Sequence, residues 1–418
     1  MATYGIPLVV VATTGSAALT GLAFALEWLP RLGAFTVAGT LVDRHGIARV
    51  FRTACVLRAL AVALAALLLA VPGTGVPTVV TVMTLAPLAG FLTEFSYVAA
   101  ETAGGEASRT AGAGAHRVQS VLLGIDQTAM LAGPLVSGLL LEHGGPAVML
   151  AALAAFSLLA AALAPSHGTA ARIATSSKGG LRTGWRTLRG LPALAWLVGG
   201  LVVSNAAVAL LQAAMPVIVV SELGRSSAQA GLIWSAAALA SLLAITTARR
   251  AIDRWGLWSV GATAAVIAAT ATLAVAHTHT YRGYLLLIAV LMAGESGLTV
   301  VLRTLRSHLI PPDVFASTLA VTILLLLLPF PVAGLLVAAV PAAQLGHAVT
   351  VAAVLQALGL ATAFTRLRTL PTASWHERTP AAHAHHHPGR TSRPSLRAPR
   401  RTLHQRPVPR VRRPTPLG

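Results

Sequence analysis

Apolar runs of about 20 residues, enough helix to cross a hydrocarbon layer of about 30 Å, recur along this chain as far as Phe364. The cleanest, residues 318–340, is mostly Leu, Val, Ala and Pro and holds no charge. In lipid a backbone satisfies its own hydrogen bonds only as a helix or a closed barrel. Barrel strands would alternate polar with apolar residues, which these runs do not. An all-α, polytopic membrane protein follows. Composition agrees, with 55% of residues hydrophobic and 10% charged, whereas soluble domains carry about 25% charge.

The runs fall into two sets with a common plan. Asp43-Arg44-His45-Gly46 returns 210 residues later as Asp253-Arg254-Trp255-Gly256, each time between apolar runs. The same offset pairs Ser16 with Ser226, Gly21 with Gly231 and Val50 with Val260. Duplicated halves of this kind mark membrane transporters. The pattern predicts helices over 18–38, 50–71, 78–99, 118–141 and 146–163 in the first half. In the second it predicts 192–220, 228–247, 257–276, 284–302, 314–340 and 342–364. The expected organisation is two pseudo-symmetric six-helix bundles, 1–165 and 192–364, with a cytoplasmic linker at 166–191 and a disordered basic tail at 365–418.

The first bundle is expected to have a truncated opening helix. Residues 4–13 amount to about 15 Å at 1.5 Å per residue, half a crossing. Pro7 matches Pro216 at nearly the repeat offset, yet the helix holding Pro216 begins near Pro192. By that comparison about 15 to 20 residues are missing, which points to a misplaced start codon or a defective gene; a genuinely short first helix is the alternative.

The net charge of +19 does not mark a nucleic-acid binder, because the arginines sit in short loops and in the tail. Arg44, Arg49, Arg52, Arg109, Arg117, Arg303 and Arg306, with the segments 172–189 and 249–254, share one side; the alternate loops carry Arg225 and Arg282. The positive-inside rule places the first set and the C-terminus in the cytoplasm, and the protein in the plasma (inner) membrane. The lone Cys55 excludes an intramolecular disulfide, and no cleavable signal peptide is apparent. No cofactor, metal site or catalysed reaction is expected.

Gly39-x-Leu41-x-Asp43-Arg44-x-Gly46, followed by Arg49, resembles the loop signature between helices 2 and 3 of the major facilitator superfamily, and the resemblance covers about residues 1–364. It implies that Gly39, Asp43, Arg44, Gly46 and Arg49, with Asp253, Arg254 and Gly256 as a degraded second copy, form a conformational latch for one of two alternating-access states. Gly39, lacking a side chain, would let another helix come close, and Asp43 could face a helix N-terminus. In the second copy Arg249 stands where Gly39 does. The plain alternative is a cytoplasmic turn carrying positive-inside charge. Gly133-Pro134-Leu135-Val136-Ser137-Gly138 is similar to the Gly-Pro-x-x-Gly-Gly element of exporters in that superfamily, with Ser137 in place of the first closing glycine. Leu29-Pro30-Arg31 and Arg58 resemble its drug and macrolide-exporter branch. Pro134 lacks an amide hydrogen, so Gly133, Pro134 and Gly138 are expected to bend their helix, as Pro329, Pro331 and Gly334 should in the second half.

Ionisable groups in lipid are costly and mark function by default. Glu94 and Glu295, on repeat-related helices, and Asp126 are the candidate proton carriers, Glu94 foremost, because buried carboxylates can take up and release protons near neutral pH. Neutralisation by a nearby arginine is the structural alternative. Glu27 and Arg31, spaced i to i+4, could neutralise each other, and Arg58 could meet Glu27, Glu94 or Asp126. Trp28, Phe91, Phe95, Tyr97, Gln119, Gln127, Asn205, Gln212 and Trp234 are the side chains best able to line a central cavity.

The tail is rich in Arg, Pro, His and Thr, too polar to fold, and suited to rest on anionic lipid. Its His383, His385, His386 and His387 form no fixed metal site. The resulting reading is a monomeric secondary active transporter, proton-coupled, that exports small amphipathic molecules by alternating access. Its partners would be substrate, protons and membrane lipids, with no nucleic acid. The alternatives are an uptake symporter for a polar metabolite, or a non-transporting or decaying membrane protein.

Overall fold

The computed structural model describes residues 2–70, 78–111, 115–164, 180–311 and 314–369. Of the tail expected over 365–418 the first five residues are helical, and the rest, with its histidines, lies outside these, as do residues 165–179 and the side chains of Asp43, Arg109, Arg117, Gln119 and Arg249. Among the described residues there is no strand. The first half runs α1 (Ala2–Thr14), α2 (Ala17–His45), α3 (Ile47–Ala70), α4 (Thr78–Ala111) and α5 (Ala115–Leu163). A break at Gly145 divides α5 into limbs 115–144 and 146–163, the second opening on Pro146. A short helix, α6 (Leu181–Gly190), lies within the expected linker. The second half runs α7 (Pro192–Pro216), α8 (Ser227–Trp255), α9 (Leu257–His277), α10 (Tyr281–Leu309), α11 (Phe315–Leu327), α12 (Pro329–Ala339) and α13 (Leu345–Thr369). Among the described residues nine helices are long and apolar enough to cross a membrane, one of them holding both limbs of α5.

The repeat is visible in the backbone of α2 and α8, each 29 residues long. Ser16 and Ser226 cap them, each hydroxyl accepting from the third amide of its helix, Leu19 and Gln229. Gly46 and Gly256 end them at φ 86° and 80° with extended ψ, a region open to glycine alone. Each glycine amide donates back to Val42 or Ile252 at 2.9 Å, and α3 or α9 starts on the next residue. The Asp-Arg-x-Gly motif is thus a one-residue hinge between two long helices, built twice.

The halves meet where backbones nearly touch. A side chain on Gly21 of α2 would strike the Ala338 amide and the Gly334 carbonyl of α12, and one on Gly334 would lie 2.6 Å from the Ala25 amide. At the repeat-related crossing, Gly231 of α8 lies against the Pro134 carbonyl of α5, and Gly138 against the Ser227 carbonyl. The Leu135 amide, one residue after the proline, donates to Ser235 Oγ at 3.3 Å. Glu142 Oε2 accepts from the Ala228 amide at 3.1 Å, placing a carboxylate at the α8 N-terminus. Phe24 and Gly231 bound one cavity of about 10 Å³, room for about one water, so α2 and α8 begin at the same level. Each helix then runs 29 residues to its own hinge, Gly46 or Gly256, at the far end.

Helices run past their apolar segments at that hinge end. Those expected to stop near 38, 99, 247 and 302 continue to His45, Ala111, Trp255 and Leu309. Hydropathy marks where lipid stops, not where the hydrogen-bonded spiral stops, and Ala and Arg favour helix in water as well. In the second half the expected bend falls at Leu328–Pro329, where the proline removes one helical hydrogen bond while Leu328 keeps helical φ −53° and ψ −37°.

Replacing Gly46 or Gly256 by Ala should cost about 1 to 3 kcal/mol, seen as a lower melting temperature in detergent. Gly231→Leu should lengthen the distance between spin labels placed on α5 and α8 across the crossing, because the α5 backbone occupies the space a side chain needs.

Candidate functional site

Two buried polar clusters, one per half, stand out from the apolar packing. In the first, Gly90 of α4 lies against the Glu27 carbonyl, so α2 and α4 cross with almost no separation. That crossing buries Glu27 fully and Arg31 to 6% exposure, a state the charges tolerate only by pairing. Arg31 Nη2 donates to Glu27 Oε1 at 2.6 Å and to Thr3 Oγ1 of α1 at 2.9 Å. Its guanidinium also sits 4.3 Å from the Trp28 ring centroid. Trp28 in turn stacks on Phe330 of α12 at 4.2 Å, linking the cluster to the second half. Glu94, one turn beyond Gly90, is buried and within electrostatic range of the same Arg31. Glu27 Oε2, Trp28 Nε1 and Arg31 Nε are buried with no hydrogen-bond partner. Three such atoms within two helical turns depart from ordinary protein interiors.

Arg58 binds none of the three carboxylates considered for it. Its Nε donates to Ser157 Oγ at 3.1 Å, and its Nη1 lies 3.4 Å from both Thr93 Oγ1 and Ser96 Oγ. It therefore flanks Glu94 through hydroxyls on either side.

The second cluster joins three helices inside the other half. Glu295 of α10 accepts from Ser204 Oγ of α7 and from Gln356 Nε2 of α13, the latter at 3.1 Å. Gln356 also donates to Ser204 Oγ at 2.7 Å, while its own Oε1 is buried without a partner. No described cation bonds this carboxylate. Asn205, the next residue on α7, donates from Nδ2 to the Leu326 carbonyl at 2.9 Å, just before the Leu328–Pro329 junction of α11 and α12. Ser204 and Gln356 escaped the sequence reading; a polar pair in α7 and a lone amide in α13 were the signal available.

The other expected residues are scattered. Asp126 of α5 and Arg303 of α10 are exposed toward the hinge end, within electrostatic range of each other across the two halves. At the hinges Arg44, Arg49, Asp253 and Arg254 are exposed, and Arg254 lies 5.9 Å from the Trp255 ring centroid. The close approach expected at Gly39 is corrected: nothing lies within 4 Å of where its side chain would be. Among the described residues no neighbour fills that space. Phe91 and Phe95 line a groove among α2, α3 and α4 rather than the space between halves. Asn205 is bonded within its own half, whereas Gln212 and Trp234 do sit at the meeting surface beside Tyr4.

A family model described as Major Facilitator Superfamily matches residues 1–328. No curated protein matches the chain. A crystal structure of a mutant of the nucleoside transporter NupG is similar at TM-score 0.68 and 12% identity, covering 87% of this chain and 96% of that one. A bacterial homologue of the iron transporter ferroportin in an inward-facing state is similar at TM-score 0.65 and 16% identity, covering 88% and 94%. At these identities the two likenesses speak for the fold.

Arg31→Met should leave Glu27 buried without its counter-charge and cost about 3 to 5 kcal/mol. Adding Glu27→Leu should restore most of the loss, which comparison of the single and double variants by thermal melting in detergent will show.

Proposed function

This chain belongs to the Major Facilitator Superfamily and is a multi-pass membrane transporter, and from that premise we propose that it couples proton movement to the export of small amphipathic molecules. The observation that carries the reading is Arg31, buried where the halves meet and paired with Glu27. It is bonded to Glu27, acts on Glu94, and is connected through Trp28 to Phe330 of the opposite half. A guanidinium placed so can serve either carboxylate. When Glu94 is ionised it competes for Arg31; when a proton neutralises Glu94, Arg31 returns to Glu27 alone. Each exchange alters the stack that spans the two halves, which is the link alternating access needs between protonation and rocking.

Within this reading Glu94 is the principal proton carrier, and Glu295 and Asp126 are the further candidates. Tyr4 packs on Trp234 and Trp28 on Phe330 across the meeting surface, and parting of the halves would turn these rings toward an amphipathic substrate with an apolar body. The Gly133-Pro134 and Gly138 segment, pressed on α8, is the pivot of the exporter-like element, and the twin hinges are the latch. The arginine-rich hinge side faces the cytoplasm of a plasma membrane protein, and the chain works as a monomer.

The test is transport by the full chain in proteoliposomes. Under an imposed proton gradient, a panel of cationic and neutral fluorescent dyes should be moved against their gradients. The movement should stop with a protonophore and fall at least tenfold in Glu94→Gln. Dye distribution equal to that of protein-free vesicles across the panel would refute export, and full activity of Glu94→Gln would remove Glu94 from the proton path.

A further inference from the structure

A groove on the first half takes no part in the clusters described above. It encloses about 290 Å³ among α2, α3 and α4. Its floor is Val50, Ala54 and Phe95, which belong to the buried core of those helices. Its walls include Leu57 and Phe91, both exposed. Leu57 begins the exposed stripe Leu60, Leu64 and Leu67 on α3, and Phe91 ends the stripe Val80 and Leu88 on α4. Helix faces of that composition in a membrane protein meet lipid chains, so the groove opens to the bilayer.

One end of the groove is cationic. His45, in the last turn of α2, and Arg49, in the first turn of α3, form its rim beside the Gly46 hinge. Arg49 makes no hydrogen bond or ion pair among the described residues, and His45 Nδ1 lies 3.3 Å from the Leu41 carbonyl. From Arg49 to Leu57 the groove descends about 12 Å along α3 at 1.5 Å per residue. A polar anion at the rim and a hydrocarbon chain below it would match this order of chemistry along the helix.

The second half repeats part of the α3 wall of the groove. At the repeat offset Thr53, Ala54 and Leu57 correspond to Thr263, Ala264 and Ile267, of the same size and polarity. His45 and Arg49 correspond instead to Trp255 and Ser259. These three α3 positions are repeated and the two cationic side chains are not, so the cations are no part of the repeated helix plan.

We propose that this groove binds an anionic phospholipid, with its phosphate held by Arg49 and His45 and one acyl chain lying over Phe95 between Leu57 and Phe91. Charge complementarity commits the occupant. The zwitterionic lipid carries a compensating ammonium, whereas an anionic head group leaves its charge for the guanidinium and imidazole, and a free phosphate would leave the apolar slot unfilled. The site stands independently of what the protein transports, because none of its walls lies between the halves.

The experiment is native mass spectrometry and thermal melting of the full chain in detergent, with dioleoyl phosphatidylglycerol, dioleoyl phosphatidylcholine or inorganic phosphate added. Phosphatidylglycerol should be retained at least fivefold better than phosphatidylcholine and should raise the melting temperature, while phosphate does neither. The double variant His45→Gln, Arg49→Gln should lose the head-group preference, and Leu57→Trp, which fills the slot, should lose retention of both lipids. Equal retention of the two lipids, or a preference that survives in both variants, would overturn the site. Stabilisation by phosphate alone would reassign it to a free anion.

Discussion

Backbone contact at two glycine-rich crossings governs the arrangement of everything else in this protein. Gly21 and Gly334 bring α2 onto α12, and Gly138 and Gly231 bring α5 onto α8. Between helices in lipid there is little hydrophobic drive to associate, so small residues that permit close van der Waals contact decide which faces meet. Because both crossings lie at the capped end of α2 and α8, that end is closed. At the hinge end Asp126, Arg303, Asp253 and Arg254 are exposed.

The two buried clusters use the same carboxylate chemistry differently. Glu27 is met by a guanidinium, Glu295 by a hydroxyl and an amide. They are nonetheless connected. Ser204 binds Glu295, its neighbour Asn205 holds the Leu326 carbonyl, Phe330 lies one turn after Leu326, and Phe330 stacks on Trp28 over Arg31. A run of contacts through the junction of α11 and α12 therefore joins a carboxylate of one half to the ion pair of the other. Such a run is a physical path of packing; coupling along it is a matter for double-mutant measurement.

Much of the fold was legible in the chain because its signals are local. Ser16 and Ser226 announce helix starts, Gly46 and Gly256 announce stops, and long apolar runs announce lipid. The overrun of α4, α8 and α10 was not legible, since polarity changes at the membrane surface while helical hydrogen bonding continues. The site was less legible still. An i to i+4 spacing is enough to bring Glu27 and Arg31 together, but nothing in the sequence ties Ser204 and Gln356 to Glu295 across 91 and 61 residues. Arg58 meeting hydroxyls from α4 and the second limb of α5 is equally non-local, as is the open space beside Gly39.

Sequence alone determined that the chain is helical, membrane-spanning and built twice, because hydropathy, caps and an internal repeat are written along one dimension. Only the tertiary structure decided which end is closed, which carboxylate has an arginine and which has neutral partners, and where polar atoms are left unpaired. Those outcomes depend on which helix faces can approach, and that is set by the joint shape of residues far apart in the chain, such as Gly90 against Glu27 or Gly21 against Gly334.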